Sequence, residues 1–73
     1  MTGIVLTVYA AGGVLGVQSK PYRTIGAATD DLDRIAAAGS FEVVEMRREG
    51  SPAIVRAFVL RDGGFECVRR RPR

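Results

Sequence analysis

The side chains best suited to chemistry in this sequence are arginines, and they fall into two groups in its C-terminal half. Arg69, Arg70, Arg71 and Arg73 form the run RRRPR, while Arg47, Arg48 and Arg61 stand beside turn-like segments and Arg56 interrupts an apolar stretch. A guanidinium carries five N–H donors in a planar fork, which suits it to phosphates and carboxylates. Phosphate contacts carry no base information, so a patch built from these groups binds nucleic acid without reading its sequence. Each group also has a plainer explanation. Like charges ending in Pro72-Arg73 make a solubilising tail at 69–73, and charge at strand ends discourages edge-to-edge pairing. The formal charge of +3 hides an asymmetry: residues 1–46 hold three basic and five acidic side chains, whereas residues 47–73 hold eight and three, a net of +5. Upstream, Tyr22 sits between Lys20 and Arg23, where it is placed either to stack on a base or partner side chain or to close the edge of a small core.

Other chemistries lack their residues. With no histidine, the usual zinc sites and the Ser-His and Cys-His nucleophile pairs are excluded. Cys67 is the one cysteine, so no disulfide forms within the chain. Its simplest role is as a small buried hydrophobe, since a reactive thiol needs a basic neighbour. Gly12, Gly13 and Gly16 suggest a phosphate loop, but no helix follows them and no lysine lies among them. The expectation is a protein without enzymatic activity, cofactor or metal.

Residues 1–19 carry no charge. A signal peptide needs a positive start, which Met1-Thr2-Gly3 lacks, and a membrane span tolerates no Gly-Gly break at its centre. No membrane association and a cytoplasmic location are therefore expected. The β-branched and aromatic content of Ile4 to Tyr9 predicts a strand, with Ala10-Ala11-Gly12-Gly13 as a turn into a second strand over Val14 to Gln18. Ser19 to Arg23 then forms an exposed connector shaped by Pro21.

The elements that must position the arginines are organised around one helix, Thr24 to Gly39. Ile25, Ala28, Leu32, Ile35 and Ala36 fall at i, i+3, i+7, i+10 and i+11, a stripe on one helical face. The opposite face carries Asp30, Asp31, Asp33 and Arg34, with Asp30 and Arg34 spaced to pair. Thr24 or Thr29 is placed to cap the start, Thr24 being preferred because it keeps Ile25 on the stripe, and Gly39 is placed to end the helix. Three further runs, Phe41–Arg48, Ala53–Arg61 and Phe65–Arg70, are separated by Glu49-Gly50-Ser51-Pro52 and Asp62-Gly63-Gly64, turns short enough to demand an antiparallel meander.

The predicted fold is a small α+β domain over residues 1–73: ββαβββ, a mostly antiparallel five-stranded sheet with one helix on one face and strand order 2-1-3-4-5. Leu32 and Ile35 are expected against Leu6, Val43 and Val59, or against the side chains beside them. One helix cannot cover both faces of five strands. Val5, Tyr9, Ile54, Phe58 and Leu60 are expected on the uncovered face, where a homodimer contact or a partner protein would lie.

This layout, with a hairpin, the helix Ala28-x3-Leu32-x2-Ile35 and a meander closing on Asp62-Gly63-Gly64-Phe65, resembles that of small phage-encoded accessory proteins, including some anti-CRISPR inhibitors of type I interference complexes. The resemblance implies a non-enzymatic protein that occupies a surface of a larger nucleoprotein machine. Many blockers of DNA sites are acidic, so the basic half points instead to competition for a guide-RNA or DNA backbone, or to docking on an acidic surface. The expected function is docking on a protein or nucleoprotein complex through the sheet and its basic edge. The alternative is direct, sequence-nonspecific binding to a DNA or RNA backbone. The residues expected to carry either are Lys20, Tyr22, Arg23, Arg47, Arg48, Arg56, Arg61, Arg69, Arg70, Arg71 and Arg73.

Overall fold

The computed structural model describes residues 3–13 and 15–70, the last two through their backbone alone. The elements are β1 (Ile4–Tyr9), β2 (Val17–Gln18), α1 (Ile25–Asp30), α2 (Leu32–Ala38), β3 (Val43–Arg48), β4 (Ile54–Arg61) and β5 (Gly64–Arg70). The strands make a five-stranded antiparallel sheet in the order β2-β1-β3-β4-β5, and the helical layer covers one face. This is the α+β arrangement that the sequence pattern predicts.

Thr24 begins the helical segment. Its backbone is extended, and its side chain accepts a hydrogen bond from the Ala27 N–H at 3.0 Å, satisfying a donor that the first turn leaves without a helical partner. Gly39 ends the segment in the left-handed conformation at φ 72°. Between them α1 and α2 meet at Asp31, whose ψ of −10° departs from the regular helix. Just before this joint the Thr29 hydroxyl donates to the Ile25 carbonyl at 2.8 Å, a back-bond of the kind that bends helices. Arg34 pairs with Asp31 rather than with Asp30, through hydrogen bonds of 2.6 and 2.7 Å. Asp31 is the better partner because the Tyr22 hydroxyl already holds its carboxylate in place.

The apolar stripe docks as its spacing requires. Ala28, Leu32, Ile35 and Ala36 are buried, with Ile25 half-buried at the margin. They meet Ile4, Leu6 and Val8 from β1, Val44 and Met46 from β3, and Phe58 from β4. Each Val, Leu, Ile, Phe or Met among them stabilises the fold by about 1.5–3 kcal/mol when removed from water.

The helix meets the side chains beside Val43 and Val59, the second of the two arrangements expected, while the expectation that Phe58 and Leu60 lie on the uncovered face is reversed. Val43 and Val59 do not meet the helix; their neighbours Val44 and Phe58 do, at 0% and 4% exposure. Leu60, opposite Phe65, also shares the helix side with Phe58. The pairs Val43-Val44 and Phe58-Val59 are apolar at both parities, so alternation alone gives no sign. A register shift contributes as well: Met46 pairs with Arg56 and Arg47 with Ile54, which leaves Val55 as a bulge residue.

The second strand is shorter than expected, reduced to Val17–Gln18, and Val14 lies outside the described residues. Gly16 runs so close to β1 that a Cβ there would collide with the side chains of Thr7 and Tyr9. The connector after β2 keeps bonding to β1: the Ser19 N–H donates to the Leu6 carbonyl, and Ile4 and Tyr22 exchange both backbone hydrogen bonds at 2.7–2.8 Å. At the far turn Arg61 pairs with Gly64, so the loop is Asp62-Gly63 alone. Their φ angles of 51° and 81° give the twist that a two-residue hairpin needs.

Candidate functional site

The sheet face away from the helices is built from the opposite parity, with Val5, Thr7 and Tyr9 of β1 opposite Arg47, Glu45 and Val43 of β3, and Gly16 covers Thr7 there, leaving it 6% exposed. Ile54, Ala57 and Val59 continue these rows into β4. Across this largely apolar surface runs one polar row. The Tyr9 hydroxyl donates to Glu45 Oε1 at 3.0 Å, Arg47 Nη2 donates to the same oxygen at 2.8 Å, and Arg47 Nε donates to the Pro52 carbonyl at 3.2 Å. The hydrogen bond to Glu45 is the chief reason that the Tyr9 phenol is pushed above its usual titration range. Tyrosine and arginine are the side-chain types that dominate binding energy at interfaces, and here both are held in one geometry before any partner arrives.

The strand register brings Arg47, Arg48 and Arg56, with the backbone of Arg70, to one end of the sheet. Arg48 lies opposite Ile4, Arg47 opposite Ile54, and Arg56 opposite both Met46 and Arg70. The Ile4–Tyr22 bridge brings the connector, with Lys20 and Arg23, to the same end. Among the described residues Lys20, Arg23, Arg48 and Arg56 form no ion pair, whereas Arg34, Arg47 and Arg61 each do.

The candidate residues do not all face one way. Arg47 belongs to the uncovered face. Arg56 has the helix-side parity and lines a groove of about 370 Å³ between the helical layer and the last two strands, with Asp30 and Asp33 on its other wall. Arg61 stands at the opposite end of the sheet, 3.5 Å from Glu66. Arg69 and Arg70 are strand residues, with Arg69 opposite Ala57. Arg71 and Arg73 lie outside the described residues.

Tyr22 is committed to the fold. It packs against the core and donates its hydroxyl to Asp31. Burial, then that hydrogen bond, raises the phenol's pKa. The Arg34 guanidinium, followed by Tyr22, lowers Asp31 to about 2. Of the two roles the sequence leaves open for Tyr22, the structure fills the one at the edge of the core.

Tyr9 and Glu45, which complete the polar row, escape a search for charged clusters. The signal available in the sequence is the period-2 placement of Glu45 and Arg47, but only the β1–β3 register brings Tyr9 to them. Among the described residues no three His, Cys, Asp or Glu side chains gather as metal ligands, and no helix is long and apolar enough to cross a membrane.

In comparisons with known proteins, no family model, no curated protein and no solved structure matches this chain.

Proposed function

We propose that this chain is a non-enzymatic docking protein that engages a nucleoprotein partner. The uncovered sheet face contacts protein, and the basic end lies toward nucleic acid. The observation that carries this proposal is the juxtaposition of the fixed Tyr9–Glu45–Arg47 row with cations that have no ion-pair partner among the described residues. The row supplies a rigid polar centre within an apolar surface, as protein interfaces use. The unpaired cations suit phosphates or an acidic surface and would speed association. An accessory or inhibitory role on a phage or mobile element, of the kind the anti-CRISPR resemblance implies, belongs to the same proposal. Direct nucleic-acid binding is the second reading, favoured by Arg48, which is exposed and has no ion pair among the described residues.

The test is affinity capture from a lysate of the source organism, with and without nuclease, using the native chain and a Tyr9→Ala/Arg47→Ala variant. The expected result is a partner protein retained after nuclease and lost with the variant. Capture abolished by nuclease alone would replace docking with direct nucleic-acid binding. A homodimer that the same variant dissociates would assign the face to a second copy of the chain.

A further inference from the structure

Among the described residues the large apolar side chains left open to solvent are Leu15 at 86%, Val17 at 62% and Val68 at 48% exposure, and the first two stand together at the β2 edge of the sheet. Beside them, on the helix side, lies a groove of about 180 Å³ walled by Val8, Val17, Tyr22, Ile35, Ala38 and Phe41. We propose that this edge pairs with a second copy of the chain. The two β2 strands run antiparallel, and Leu15 of each copy fills the groove of the other.

The groove suits carbon. Its polar groups are already engaged: the Tyr22 hydroxyl donates to Asp31, Arg34 is paired with the same carboxylate, and the Ser19 hydroxyl accepts from the Leu6 N–H and donates to the Lys20 carbonyl. An occupant bearing donors or acceptors would therefore leave them unpaired, at a cost. The volume is that of one aliphatic or small aromatic group. Leu15 supplies such a group from the same chain.

The backbone sets how two copies meet. The Ser19 N–H donates to the Leu6 carbonyl. Successive residues of an antiparallel ladder turn their backbone groups to opposite sides, so those of Gln18 face away from β1, and one more period gives Gly16 the same direction. Pairing centred on Val17 then sets Val17 against Val17 of the second copy, Gln18 against Gly16, and Leu15 against Ser19. Leu15 has the parity of Val17, whose partner Val8 belongs to the core under the helices, and Ser19 lines the groove. The leucine thus arrives on the groove's side of the second copy, and the two-fold axis repeats the contact.

Charge distinguishes this edge from the other one. Residues 1–19 carry no charge in a chain of +3, so two copies meet here without bringing like charges together. The β5 edge carries Glu66, Arg69 and Arg70 in seven residues, the kind of charged edge that discourages pairing. Val17–Gln18 has no such guard. A two-residue strand holds a partner weakly by its backbone, which makes the leucine contacts decisive.

The experiment is sedimentation equilibrium of the full chain from micromolar to millimolar concentration. The apparent mass should rise from 7.9 kDa toward twice that value. Added salt should strengthen the association slightly, because it screens the repulsion between two chains of +3. Leu15→Lys should weaken the dimer about a hundredfold, since each dimer loses two buried leucines at about tenfold apiece. Val17→Lys should act in the same direction. Both side chains are exposed in the single chain, so circular dichroism of the variants should match the native spectrum. Arg47→Ala, on the other face, should dimerise as the native chain does. A mass of 7.9 kDa throughout overturns the proposal, and so does a dimer that keeps its affinity in both lysine variants. A dimer lost in Arg47→Ala but kept in Val17→Lys would overturn it by moving the second copy to the other face. The pairing leaves the Tyr9–Glu45–Arg47 row free and does not rest on the docking proposal, so either can fail alone.

Discussion

Tyr22 and Asp31, one in the connector and the other at the joint between α1 and α2, are joined by a hydrogen bond from the phenol to the carboxylate. Arg34 closes on the same carboxylate from the next turn with two further bonds. These three side chains therefore fix the helical layer to the segment that bridges onto β1. The helix position is set by packing and by this polar clasp together.

The clasp has a signature in acid. Asp31 is lowered from the usual 3.8 to about 2, first by Arg34 and then by Tyr22. A carboxyl whose folded pKa is depressed contributes stability that is present above its unfolded pKa and lost as pH falls through the folded one. The native chain should therefore lose stability between about pH 4 and pH 2 more steeply than Asp31→Asn, with the two curves converging at the acid end. Urea midpoints measured across that range test this, and parallel curves would remove Asp31 from the acid response.

Leu32→Ala should cost about 2–5 kcal/mol, because the side chain is 5% exposed against a sheet that cannot close over the gap. The sharper comparison lies in β3. Val44→Ala should cost about 2–3 kcal/mol and Val43→Ala about 1 kcal/mol or less, since only Val44 is under the helix. Denaturant unfolding of both variants measures this order, and the reverse order would restore the facing that the sequence pattern suggests.

That comparison marks how far the sequence was legible. The helix was plain in Thr24, Gly39 and the spacing from Ile25 to Ala36, because a 3.6-residue stripe has a direction that one-dimensional data reveal. Turn lengths made β1–β2 and β3–β4–β5 antiparallel neighbours, whereas β3 beside β1 was one order among those the sequence allowed, because the helix between them sets no partner. The facing of β3 and β4 was not legible, because Val43-Val44 and Phe58-Val59 satisfy either parity and a bulge has no signature in the chain. The arginines were visible as residues but not as an arrangement. The register that brings Arg48, Arg56 and Arg70 to one end while sending Arg61 to the other is set by long-range pairing.

Cys67 lies half-buried in the groove with Arg56, Phe58 and Phe65, on the side of the sheet away from the polar row. Cys67→Ala should lower stability by about 1 kcal/mol and leave partner binding unchanged. Isothermal titration of a captured partner against both chains checks it. Binding lost from a variant that stays folded would give the thiol a role in recognition.

Salt separates the two contributions to binding. Each phosphate neutralised on a single strand contributes about −0.7 to the slope of log affinity against log salt, and on duplex DNA about −0.9. If Lys20, Arg23, Arg47 and Arg48 all met phosphates, the slope on a single strand would be about −2.8. Contact with a single phosphate would give about −0.7. A partner protein held by the apolar face and the Tyr9–Glu45–Arg47 row should keep most of its affinity over the same range, because rim charges act mainly on the association rate. A chain ending at Arg70 retains all of β5, so it reports on Arg71 and Arg73 without shortening the strand. The expected outcome is a shallow slope near −0.7 on single strands, largely lost in Arg48→Gln and little altered by ending at Arg70. A steep slope that collapses when residues 71–73 are removed would move recognition from the sheet end to the terminal arginines.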